Sequence, residues 1–200
     1  MGTEKLDTEI RQGQIAEAAL SLVARHGMKG LSVAGVARQV GLVPSAIYRH
    51  FKSKSQILDA VLDLLRDKLL GNVKSARGRA PDPLERLRWL LVLHVRLIRE
   101  YQAIPRILFS EEVYGGNQAR KAKLHSIFTT YLEEVAAIVR QGQKEHRIRP
   151  DLNPGTVSLM FIGLFQPSAV LWHLSDGGFD VTRHAERAWK IFSEAIGAKR

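Results

Sequence analysis

"VGLVPSAIYRHFKSKSQIL", residues 40–58, holds three helix boundaries in a row. Gly41 supplies the left-handed backbone that ends one helix. Pro44 opens the next at a first-turn position, where its missing N–H costs nothing. Ser53 with Gln56 then makes a capping box that starts a third. Between Pro44 and Ser53 the large apolar residues at helical spacing are Ile47 and Phe51, and beside them Tyr48, Arg49, His50 and Lys52 crowd one short stretch.

Working outward, Ile15, Ala19, Leu22, Val23 and His26 form a helical stripe that Gly27 and Gly30 stop. Ser32 caps a short helix whose inner face is Val33, Val36, Ala37 and Val40. Downstream, Ile57, Leu58, Val61, Leu62, Leu65 and Leu69 mark a longer helix. Two short helices joined by a glycine turn and backed by a longer one make a helix-turn-helix unit, whose second helix fits a DNA major groove. Val40, Leu42, Ile47 and Phe51 form its miniature core. Val43, Pro44, Ser45, Ala46, Tyr48 and Arg49 are then expected on outer faces, toward the groove.

DNA binding divides into positioning and reading. Lys54, Lys52 and His50 lie where cations and free helix N–H groups hold a phosphate together. Tyr48 suits a phosphate or a thymine methyl, Arg49 a guanine edge or a phosphate, and Ser32 offers a hydroxyl to the adjacent strand. Charge points the same way. The 200-residue chain carries a net +10; from Ile10 to Ala60 seven lysines and arginines face two carboxylates. A polyanionic partner is the physical reading of that excess.

Period-two alternation is absent, so the chain reads as all-α. Helices are expected near 83–101, 103–113, 117–146, 154–174 and 180–197, and residues 71–83, rich in glycine, proline and charge, read as a loop. Residues 157–174 approach the length of a membrane span, but Gln166, Pro167, Ser168 and His173 interrupt them, which favours a helix buried on both sides over a span. The polar N-terminus carries no secretory or transit signal, and the chain has no cysteine, so a cytoplasmic protein without a membrane partner is expected.

Residues 10–58 resemble the N-terminal domain of TetR/AcrR-family transcriptional regulators. The resemblance is carried by "IAEAALSLVARHGMKGLSVAGVARQVGLVPSAIYRHFKSKSQIL", with Ser32 opening the second helix, Gly41 at the turn, Tyr48 and Phe51 in or closing the third and Lys54 opening the fourth. Val43 departs from it, standing where such proteins often place a serine or threonine cap. The resemblance implies a helix-turn-helix DNA-binding domain, set here at residues 1–52, and a helical ligand-binding and dimerisation domain at 53–200. It implies a homodimer that binds a palindromic double-stranded DNA operator and that a small-molecule effector releases. A DNA-binding protein of architectural type, without an effector, is the alternative.

Beyond the resemblance, Trp89, His94, Phe109, Phe128, Tyr131, Phe165 and Gln166 have the composition of a site for a largely apolar ligand. Gln166 is the sharper clue, because an amide in an apolar run needs a partner. Met160, Leu164, Pro167 and Leu171 on one helix, with Trp189 and Phe192 on the last, are the expected dimer face. No nucleophile, metal or dinucleotide motif occurs, so neither an enzyme nor a cofactor is expected.

Overall fold

The computed structural model describes residues 2–101, 103–115 and 117–198, with the side chains of 2–6 and 114 excepted. Its helices are α1 (Gly2–His26), α2 (Val33–Gln39), α3 (Pro44–Ile47), α4 (Lys54–Arg79), α5 (Pro83–Glu100), α6 (Ala103–Leu108), α7 (Glu111–Tyr114), α8 (Gln118–Lys144), α9 (Pro154–Gly163), α10 (Gln166–Leu174) and α11 (Val181–Ile196). A 3-10 turn, Met28–Gly30, follows α1. The described residues contain no β-strand, only an isolated bridge between Ile148 and Gly197.

The chain forms two compact units, neither continuous in sequence. The first joins Met1–Lys68 to Tyr101–His125, and the second joins Leu69–Glu100 to Ser126–Arg200. Neither ends at the expected 52/53 boundary. The reason is α4, whose apolar stripe continues from Ile57, Val61 and Leu65 to Leu69, Val73 and Ala76, all buried. The 52/53 boundary lies ahead of α4, whose first turns bury their stripe in the first unit and whose last turns bury theirs in the second. Residues 71–79, expected as loop, are its last turns. Gly71 and Gly78 are tolerated inside it, each costing about 1 kcal/mol relative to alanine.

In the first unit, α1 packs on α2 and α6, and α2 on α3. Ile15, Ala19, Val23, Val36, Ile47, Ile57, Leu62 and Ile107 are almost wholly removed from solvent. α6 joins this core and is fastened electrostatically as well: Arg106 donates to the Ala24 carbonyl at 2.9 Å, near the C-terminus of α1. Lys68 pairs with Glu17 at 3.0 Å and lies 4.4 Å from the centre of the Tyr101 ring.

In the second unit α5 packs on α11, and α10 packs on α9 and α11. Gly142 lets α8 approach closely, since a Cβ there would stand 2.6 Å from Ile148 Cδ1 and 3.2 Å from Pro83 Cβ. The single helix expected over 154–174 is two. α9 ends at Gly163, Phe165 takes a non-helical backbone, and Pro167 sits in the first turn of α10, where its ring meets no preceding turn. Within the single chain one side of these helices is open: Leu159, Met160, Val170, Leu171 and Leu174 are exposed. The helix expected at 103–113 is likewise divided, into α6 and α7 around Ser110.

Candidate nucleic-acid interface and effector site

Ser32 caps α2, its Oγ accepting from Gly35 N–H at 3.1 Å. α2 closes in a Schellman motif: Leu42 N–H donates to the Ala37 carbonyl at 2.8 Å and Gly41 N–H to the Arg38 carbonyl at 3.3 Å, with Gly41 at φ +69°. Val43 offers α3 no side-chain cap, and Pro44 begins it unaided. The helical turn runs on through amides 48–51, since Tyr48 N–H reaches the Pro44 carbonyl and Phe51 N–H the Ile47 carbonyl. Ser53 then caps α4, and Gln56 reaches back to the residue before it. Gln56 Oε1 accepts from Lys52 N–H at 2.7 Å, and Ser53 Oγ accepts from Gln56 N–H at 3.3 Å.

These caps leave Ser32, Pro44, Ser45, Tyr48, Arg49 and Lys52 exposed, with His50 and Lys54 half-buried. Tyr48 exposes 48 % of its surface although it is a large aromatic. The first-turn amides of α4, beside Lys54, have no intrahelical acceptor, which makes that terminus a place for an anion. One expected groove residue is corrected: Ala46 is only 7 % exposed and belongs to the core with Ile47. α3 is a single turn, so the next position round from Ile47 also faces inward.

In the second unit His94 is buried and hydrogen-bonded to the Tyr131 hydroxyl at 2.5 Å. Its ring stacks on Phe165 at 4.3 Å and 9°, and meets Tyr131 edge-on at 5.2 Å. Burial holds the imidazole neutral, with its pKa down at about 3, and pushes the Tyr131 hydroxyl well above the usual phenol range. Trp89 lies under the Arg79 guanidinium, 4.0 Å from its ring centre, and its buried Nε1–H has no acceptor among the described residues. Phe128 is half-buried.

Two expected ligand residues face solvent instead. Phe109 belongs to the first unit and its ring is exposed. Gln166 is exposed at the start of α10, because the helix break turns the amide to solvent rather than burying it in an apolar run. Arg79 was not anticipated; its signal was hidden in a stretch read as loop.

Of the expected dimer face, Met160, Pro167 and Leu171 are exposed, and Leu164 and Trp189 are half-buried. Phe192 is corrected: at 4 % exposure it packs against Phe161 and Trp189 inside the unit. Leu174, which the spacing puts on the same helix face as Leu171, is 74 % exposed, and Ile191, 72 % exposed, was missed. With Leu159 they put large apolar side chains on α9, α10 and α11 in contact with water.

Residues 15–61 match the model of the tetR family of bacterial regulatory proteins, and residues 80–196 match that of the tetracyclin repressor-like C-terminal domain. The chain is 23% identical over 191 residues to the nucleoid occlusion factor SlmA of Vibrio vulnificus, covering 93% of this chain and 95% of that one. The solved structure of the fatty acid degradation regulator FadR from Bacillus halodurans superimposes with a TM-score of 0.77 at 21% identity, covering 91% of this chain and 94% of that one. FadR from Bacillus subtilis, solved with stearoyl-CoA, gives 0.75 at 22% identity, covering 92% and 98%.

Proposed function

Because this chain belongs to the tetR family of bacterial regulatory proteins, and is thereby a DNA-binding transcriptional regulator rather than an enzyme, we propose that it is a cytoplasmic, homodimeric repressor that a largely apolar small molecule releases from a palindromic operator. The observation that carries the reading is the row of exposed Ser45, Tyr48, Arg49 and Lys52 ahead of the Lys54 helix terminus. Ser32, Lys52, His50, Lys54 and the α4 amides position the backbone, while Pro44, Ser45, Tyr48 and Arg49 meet base edges. The exposed apolar residues of α9, α10 and α11 pair with those of a second copy about a twofold axis. That dimer presents two reading helices to half-sites about one helical turn or a multiple of it apart.

The effector binds in the second unit beside Trp89, His94, Phe128, Tyr131 and Phe165. The buried Trp89 N–H donates to a polar group on a ligand whose remaining surface is apolar. The ligand favours a conformation in which α4, shared by both units, carries the reading helices out of register. A second reading has one observation in its favour: the SlmA relative is named for nucleoid occlusion. In that reading the chain binds DNA without an effector and the His94 cluster is plain core.

Lys54→Ala tests the DNA surface. It weakens binding to all duplexes alike and lowers the slope of log K against log[salt] by about one, whereas Arg49→Ala changes which duplex is preferred. Fluorescence anisotropy over a salt series reads both, and an unchanged Lys54→Ala slope removes the phosphate assignment. Melting the protein with acyl-CoA thioesters and other apolar ligands separates the two readings: none that both raises Tm and releases DNA favours the effector-free one.

A further inference from the structure

Arg120 takes no part in the sites above, yet its side chain makes four hydrogen bonds within the first unit. It lies in the first turn of α8 and is only 5 % exposed. Its Nε–H donates to Asp59 Oδ1 at 2.7 Å, its Nη1–H to the Glu112 carbonyl at 2.7 Å, and its Nη2–H to Ser55 Oγ at 2.6 Å and the Ser55 carbonyl at 3.2 Å. One turn on, Lys123 donates to the Asp59 carbonyl at 3.0 Å and to Asp63 Oδ2 at 2.6 Å.

Burying a guanidinium is costly unless it is both paired and hydrogen-bonded. This one is satisfied by a single stretch of chain on one side, the first two turns of α4, and by the Glu112 carbonyl of α7 on the other. A planar fork held at several donors fixes orientation as a flexible ammonium does not. Ser55 follows Lys54 directly, so the fork sets the direction in which the α4 terminus points. It also neutralises Asp59, a carboxylate just over one turn into α4 that would otherwise oppose a phosphate at that terminus.

We infer that Arg120 is a positioning residue for DNA binding: acting from α8 and touching no DNA itself, it holds the first turn of α4 so that Lys54 and the adjacent amides meet a phosphate. The inference rests on the α3 and α4 surface being the DNA-binding face, as proposed above.

The test uses the full-length protein, a duplex recovered from a random pool by the wild type, and the variants Arg120→Met, Arg120→Lys and Lys54→Ala. Arg120→Met is expected to weaken binding about tenfold or more and to lower the salt slope by about one, as Lys54→Ala does. Arg120→Lys, which keeps the charge and gives up the fork, falls between it and the wild type. Hydrogen exchange gives a readout that general destabilisation cannot imitate: amides 53–60 exchange faster in Arg120→Met, while those of α1 and of the second unit keep wild-type rates. Binding by Arg120→Met within about twofold of wild type, with Lys54→Ala weakened, overturns the inference alone. Faster exchange throughout the first unit makes Arg120 a residue of stability and also overturns it. Wild-type binding by Lys54→Ala and Arg120→Met together removes the DNA-face reading and the inference with it.

Discussion

His94 shows how one side chain ties pH to stability. Its imidazole is sealed against Phe165 and Tyr131, and burial drives its pKa from the ordinary 6.5 to about 3. The unfolded chain binds a proton below about pH 6.5 that the folded chain refuses, so stability falls as pH drops from there toward 3. The slope from this group approaches ~1.4 kcal/mol per pH unit. His94→Gln keeps a hydrogen-bonding group for the Tyr131 hydroxyl but cannot titrate. Urea unfolding at about pH 6.5 and about pH 5 is expected to show a smaller loss for the variant than for the wild type. An apolar neighbourhood around His94 was legible from Leu93 and Val95, but its partner Tyr131, 37 positions away, was not paired with it by any spacing. Arg120 was less legible still, because its acceptors at 55 and 59 on α4 and at 112 on α7 come from two places far from it in the chain. Burial of a charge leaves no periodic mark in a sequence.

The helix ends were the readable part of the elements. Gly41, Pro44 and the Ser53/Gln56 box each act within a few residues, so the chain states them locally, and α2, α3 and α4 begin or end where they fall. Gly41→Ala forces a Cβ into the left-handed region that closes the Schellman motif, at a cost of about 1 kcal/mol. Gly41→Asn costs less, since asparagine tolerates that conformation. Thermal unfolding of the two variants is expected to rank them in that order, and equal Tm values would show that the turn takes up the strain elsewhere. Two boundaries were misread for opposite reasons. At 71–79 glycine and charge concealed a stripe of Val73 and Ala76. At 163–167 Pro167 signalled a kink within one helix, but α9 ends before it, at Gly163, and a second helix starts at Gln166.

For the whole molecule, the exposed apolar residues of α9, α10 and α11 call for a cover of their own kind. Leu174→Glu with Ile191→Glu places carboxylates in that face without touching the core, since both residues are more than two-thirds exposed. Sedimentation is expected to give twice 22.4 kDa for the wild type and 22.4 kDa for the variant. Operator affinity falls with it, as a monomer engages one half-site. A variant that remains dimeric moves the interface elsewhere. The all-α class and the basic N-terminal helix-turn-helix were legible from periodicity and charge. The partition into units was not, because residues 101–125 carry no signal of the company they keep.

That partition bears on how such a regulator can be rebuilt. The reading module is written in two passages separated by thirty-two residues, 69–100. A clean cut after α4 therefore discards α6 and the Arg106 tether, leaving Leu20, Val61 and Leu62 without part of their cover. Anyone grafting this specificity onto a different sensor must transplant both passages together, and recombination in nature faces the same two-point constraint.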